Sequence, residues 1–175
     1  MARILFAYST TDGHTARISQ RLGELLAAQS HAVSVAPLAT VEDRDLAACD
    51  KIVIGASIRY GRHSQALLDF IERNERVLNR KPSAFFSVSV VARKPDKNLP
   101  HTNPYVRKLL GRIAWRPREV GVFAGKIDYP RYGIADRTII RFIMLLTGGP
   151  TDPASVVEFT DWNAVDAFAG RIAAM

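Results

Sequence analysis

The residues best suited to chemistry form one short stretch, Ser9-Thr10-Thr11-Asp12-Gly13-His14-Thr15. It follows the apolar run Ile4-Leu5-Phe6-Ala7-Tyr8 and precedes a helical pattern with Ile18, Leu22, Leu25 and Leu26 on one face. A strand, a hydroxyl-rich turn and a helix in that order build an anion site. Peptide N–H groups of the turn and the helix N-terminus converge on one point, and the Ser and Thr hydroxyls add donors. A triphosphate cradle, G-x-x-x-x-G-K-S/T, would need a Lys that this turn lacks. A dinucleotide turn, G-x-G-x-x-G, would need glycines where only Gly13 stands. What remains suits a single terminal phosphate. An ordinary capped strand-to-helix turn has much the same composition, so the rest of the chain must discriminate.

Two further loops carry usable groups. The apolar run Ile52 to Gly55 ends in Ala56-Ser57-Ile58-Arg59-Tyr60-Gly61. There Ser57, Ile58, Tyr60 and Gly61 flank the switch point of a doubly wound sheet, and Tyr60 offers a face for stacking on a planar ring. The run from Ser83 to Val91 brings Ser87, Val88, Ser89 and Val90 to a strand end, where hydroxyls and peptide N–H groups can meet the polar edge of a heterocycle. Alternation in a sheet would place the two serines equally well. No Cys pair, Ser-His-Asp set or paired carboxylate points to side-chain chemistry. His31, His63 and His101 have no partners at metal-ligand spacing, so no metal is inferred. Cys49, the single cysteine, reads as a small buried apolar residue in a reducing compartment.

The elements that position these loops follow from periodicity. Strands are expected at the N-terminus, at Ala32–Ala36, Ile52–Gly55, Ser83–Val91 and Val120–Gly125, with helices between them. Val41–Ala48 is expected as a brief helix. Residues 127–153 interrupt the end of strand 5 with an apolar helical piece near Thr138–Thr147, after which Val156–Thr160 resumes that strand. Val165, Phe168, Ala169 and Ile172 mark the last helix. Short apolar strands alternating with helices mean an α/β fold: one domain over residues 1–175, doubly wound, with a five-stranded parallel sheet in the order 2-1-3-4-5. No secretory leader and no membrane span is expected.

Charge is concentrated. From Arg93 to Arg118 eight Lys/Arg stand against Asp96 alone, a net +7 that equals the net charge of the whole chain. Such a segment implies an anionic partner. No aromatic-interleaved nucleic-acid motif accompanies it, so nucleic acid is not the expected one.

Several segments together resemble the flavodoxin-type FMN proteins and, more narrowly, the bacterial quinone-dependent protoporphyrinogen IX dehydrogenases. They are S-T-T-D-G-H-T, V-I-G-A-S-I-R-Y-G (Val53–Gly61), S-V-S-V-V-A-R-K-P (Ser87–Pro95), Y-P-R-Y (Tyr129–Tyr132) and T-D-W (Thr160–Trp162). Flavodoxins usually show S/T-x-T-G-x-T in the first; Asp12 ahead of Gly13 suits the narrower family. The resemblance implies FMN held by residues 9–15, by Ser57, Ile58, Tyr60 and Gly61, and by Ser87–Val90. It implies flavin-borne oxidation of protoporphyrinogen IX, with menaquinone or ubiquinone as acceptor. Substrate propionates and an anionic membrane surface are the expected partners of Arg93, Lys94, Lys97, Arg107, Lys108, Arg112, Arg131, Arg137 and Arg141. The place implied is cytoplasmic, peripheral on the inner face of the cell membrane. The helical piece near 138–147 also suits burial or a homo-oligomer contact. Two other activities use the same fold: an electron-shuttle flavodoxin, which the basic pI of 9.9 disfavours, and an FMN-dependent NAD(P)H:quinone oxidoreductase.

Overall fold

The computed structural model describes residues 1–175. Its sheet has the order β2-β1-β3-β4-β5, all neighbours parallel, from β1 (Arg3–Ser9), β2 (Ala32–Pro37), β3 (Lys51–Ser57), β4 (Ser83–Ser89) and β5 (Glu119–Ala124). Parallel strands need crossovers, and α1 (His14–Ala28), α2 (Asp43–Ala48), α3 (Gln65–Arg80) and α4 (Pro104–Arg112) provide them; α6 (Trp162–Ala174) closes the chain.

The period of two along each strand splits the core into two layers. Ile4, Phe6, Val53 and Phe86 pack on Ile18, Leu22 and Leu26 of α1 and on Val165, Phe168 and Ile172 of α6. On the other face Leu5, Ile52, Ile54 and Phe85 meet Leu67, Phe70 and Ile71 of α3, Leu109 of α4 and Trp115. Trp115 is fully buried, and its Nε1–H donates to Ser83 Oγ at 2.9 Å. Cys49 belongs to this second layer as a buried apolar residue. Burial pushes its thiol pKa up, so it stays protonated.

Three boundaries differ from the periodicity. The fourth strand stops at Ser89 and turns into a 3-10 segment, Val90–Arg93, directly after Gly125 N–H donates to the Ser89 carbonyl at 3.2 Å. The interrupting helix, α5, runs from Ile134 to Thr147, 14 residues or about 21 Å, and Gly148 in the left-handed region ends it. The segment after it does not resume strand 5. Instead β7 (Val156–Glu158) pairs antiparallel with β6 (Lys126–Asp128) as a separate ribbon beyond the sheet. Only Gly125 separates β5 from β6, so the chain bends outward there and carries its return partner with it. Beneath α5 lies a satellite core of Ile127, Tyr129, Tyr132 and Met144.

Candidate functional site

A cavity lies beyond the carboxyl ends of β1, β3 and β4, where Thr10, Thr11, Asp12, His14 and Thr15 come together with Ser57–Gly61 and Val88–Val91. This is the switch point of the sheet, as the strand order requires. The turn after β1 is shaped by Gly13, which N-caps α1 at φ 83° while its N–H donates to Thr10 Oγ1 at 3.0 Å. No Ser, Thr, Asp or Asn side chain caps α1. Its first N–H groups therefore face the cavity and keep the dipole's positive end available to an anion.

Tyr60 stands at the tip of a tight turn. Arg59 and Arg62 exchange backbone hydrogen bonds of 3.0 and 3.2 Å, with Tyr60 at φ 49° and Gly61 at φ 75° between them. Two consecutive positive φ values make a type I′ turn, natural for Gly61 and strained for Tyr60. The ring is 48% exposed at the cavity mouth. Arg59 then spans that mouth. Its guanidinium bonds Asp12 Oδ1 at 3.3 Å and the Asp136 carboxylate of α5, which also accepts from the Tyr60 hydroxyl. Ile140, Ile143 and Met144 of α5 supply the apolar side of the cavity.

His14 opens α1, and its Nε2 lies 2.6 Å from Thr160 Oγ1, with Trp162 edge-on at 6.2 Å. Burial lowers its pKa, and the Glu158 carboxylate only partly opposes this, so the ring is neutral at pH 7. It ties the turn after β1 to the segment entering α6.

Not every predicted residue reaches this cavity. Ser87 points the other way: buried at the α3 face of the sheet, it shares a 3.0 Å hydrogen bond with His63 Nε2. Strand alternation puts it on the same face as Phe85, which His63 also contacts edge-on. Ser9 likewise faces a second recess, with its Oγ 3.3 Å from Ser64 Oγ. Among the basic residues, Arg93 and Arg131 line the cavity, while Lys108 and Arg112 line the second recess. Lys94 and Lys97 are half-buried beside the 3-10 turns after β4, and Arg107 is exposed on α4; none of the three lines either opening. Arg137 donates to the Tyr132 carbonyl at 3.3 Å and Arg141 to the Thr151 carbonyl at 2.8 Å, so both brace the insert's own backbone.

Sequence reasoning passed over Arg59, Tyr105, Lys126, Asp128 and Tyr132 as wall residues. Arg59 left a signal, a lone cation inside a loop with no acid nearby in sequence. Tyr105, on α4, lies at the wall of both openings.

Two wall hydroxyls test what the cavity is built for. Thr15 Oγ1 and Ser89 Oγ are buried with no hydrogen-bond partner in the protein. Each such group costs about 1–3 kcal/mol unless a ligand satisfies it. Thr15 stands at the anion end and Ser89 at the end of β4, a fit to a phosphate joined to a polar-edged ring system such as FMN.

Comparison with known proteins agrees. Residues 5–154 match the model of the flavodoxin domain family. Protoporphyrinogen IX dehydrogenase (quinone) of Leishmania major is 44% identical over 174 residues, which are 99% of this chain and 75% of that protein. The enzyme of the same name from Escherichia coli is 43% identical over 171 residues, 98% of this chain and 94% of that one. Among solved structures, oxidised flavodoxin 2 from Bacillus cereus superposes with a TM-score of 0.60 at 20% identity, covering 99% of each chain. Flavodoxin 1 of the same organism gives 0.57 at 16% identity, covering 98% of this chain and 97% of that one. These two speak for the fold alone. The chain therefore belongs to the flavodoxin family, on its protoporphyrinogen IX dehydrogenase (quinone) branch, and is an FMN flavoprotein oxidoreductase.

Proposed function

We propose that this protein oxidises protoporphyrinogen IX to protoporphyrin IX at its FMN and delivers the electrons to a membrane quinone. The observation that carries the reading is relatives of that name at 43–44% identity along nearly the whole chain. The cavity supports it with a monophosphate turn, a stacking aromatic and an apolar flank side by side.

In this reading the N–H groups of the β1–α1 turn, with Thr10, Thr11 and Thr15, hold the phosphate. Ser57–Gly61 and Val88–Val90 flank the ring. When bound, FMN takes up two electrons per round, so the six-electron oxidation of a porphyrinogen takes three rounds. The protein's part is to position and to exclude water. Tyr60 and Arg59 close one side of the mouth, and the apolar residues of α5 line the other.

The outer face of α5 also bears on the acceptor. Phe142, Leu145 and Leu146 are 61, 68 and 69% exposed, and Ile134 and Ile139 are exposed with them. No helix of the chain is long and apolar enough to cross a membrane. A basic molecule with an apolar helix face beside its redox cavity is suited to lie on an anionic bilayer where quinone is reached. In this reading the protein works peripherally, on the inner face of the cell membrane.

The deciding measurement is anaerobic bleaching of the flavin absorbance. Protoporphyrinogen IX is expected to bleach it and menadione to restore it, with NADPH inert. Bleaching by NADPH and none by protoporphyrinogen would assign the chain to the NAD(P)H:quinone oxidoreductases instead.

A further inference from the structure

On the far side of the Tyr60 turn a second recess of about 520 Å³ opens between the start of α3 and α4. It shares Thr11, Ser57, Arg59, Tyr60, Gly61 and Tyr105 with the flavin cavity, so the two are neighbours across one turn. Its size is that of a small-molecule pocket, and its character is unlike the first.

The wall carries Arg59, Arg62, Lys108 and Arg112 and not a single Asp or Glu. Arg59 is neutralised by Asp12 and Asp136. The other three have no carboxylate within ion-pair distance, although the chain holds 17 acidic residues. Lys108 and Arg112 are four apart on α4, a like-charge spacing that destabilises a helix unless an anion lies between them. The N-terminus of α3, capped by Ser64, faces the same space and adds its dipole. His63, 8% exposed, also lines the recess, and its Nδ1 makes no hydrogen bond with the protein while Nε2 is held by Ser87. A converging set of cations, a helix start and a ring nitrogen with no protein partner describe a seat for carboxylates.

We propose that this recess binds the side-chain carboxylates of the tetrapyrrole donor, with Arg62, Lys108 and Arg112 as specificity-determining residues; this rests on the reading of protoporphyrinogen as substrate. The macrocycle then lies at the Tyr60 turn, against the flavin cavity. The apolar α5 side of that cavity stays open to an uncharged quinone. Donor and acceptor are separated by chemistry, the dianion on the α3–α4 side and the apolar acceptor on the α5 side.

The test uses FMN-loaded protein and redox-inert probes, protoporphyrin IX and its dimethyl ester, titrated by Soret absorbance. Wild type is expected to prefer the free acid. Arg62→Ala/Lys108→Ala/Arg112→Ala is expected to retain FMN and its melting temperature, since all three residues are exposed. Free-acid affinity should fall about 100-fold and ester affinity little, as lost charge-assisted hydrogen bonds require. Arg112→Lys should restore part of the preference that Arg112→Ala removes. The carboxylate seat is overturned if wild-type flavin is bleached by protoporphyrinogen but the folded triple variant binds both probes like wild type. Failure of the parent reading shows separately, as wild-type flavin that protoporphyrinogen leaves oxidised.

Discussion

Arg93 fastens the last turn of α5 to the loop after β4: its Nη2 donates to the Thr147 carbonyl at 3.0 Å and lies 3.2 Å from Thr147 Oγ1. A guanidinium at a helix C-terminus satisfies carbonyls that have no partner along the helix and meets the negative end of the dipole. Arg93 is thus a structural tie and not a free anion collector. Arg93→Ala is expected to destabilise the protein by about 1–2 kcal/mol. It should also speed amide exchange across α5 and the release of FMN. Exchange in α5 equal to wild type would show that the tie carries no load.

Thr15 separates cofactor binding from folding. Its buried Oγ1 has no protein partner, so Thr15→Val should leave the apoprotein as stable or slightly more so. FMN affinity should fall about tenfold, the loss of one hydrogen bond to a charged group. Thermal melts with and without FMN read both effects in one experiment.

Gly55 is required by its neighbour. It pairs with Phe86 across β3 and β4, and a Cβ at Gly55 would come within 2.2 Å of Phe86 Cζ. Gly55→Ala is expected to cost about 2 kcal/mol or more through overpacking in a core that cannot yield. Gly55→Ala/Phe86→Leu should be more stable than Gly55→Ala alone, a coupling that chemical denaturation measures.

His63 sets an acid limit. Burial lowers its pKa from 6.5 to about 4, so the native imidazole stays neutral where that of the unfolded chain is protonated. Its contribution is intact above pH 6.5 and is lost as the pH falls toward 4, by about 3 kcal/mol at full extent. His63→Gln should flatten the stability profile in that window, and denaturant midpoints between pH 7 and 4 report it.

The outer face of α5 predicts membrane behaviour. Wild type should co-sediment with anionic phosphatidylglycerol vesicles, less so in high salt. Phe142→Asp/Leu146→Asp, two exposed residues one turn apart, should abolish most of this without unfolding the protein. Retained sedimentation in that variant removes α5 from the membrane. A wild-type dimer that the variant converts to monomer would assign the face to a second copy.

The sequence by itself determined whatever depends on near neighbours. Short apolar runs marked the strands and helical apolar spacing the helices, and their alternation left little choice but a parallel sheet with its loops gathered at one end. That Thr10–Thr15, Ser57–Gly61 and Val88–Val90 would meet at one end of the sheet was legible because turn chemistry and strand ends are local. Side-chain destination was not. Ser87 and Ser89 look alike in sequence, yet one bonds His63 beneath the sheet and the other, at the last position of β4, lies in the cavity wall. The basic residues read as one group, but Arg93, Arg137 and Arg141 bind backbone carbonyls of the insert, and Lys108 and Arg112 face a recess of their own. The pairing of β7 with β6, and of Asp136 with Arg59 at 77 residues' separation, joins segments that no periodicity relates. Such contacts are selected by the free energy of the whole packed chain, where a carboxylate or carbonyl that loses water must find its partner wherever the fold puts one.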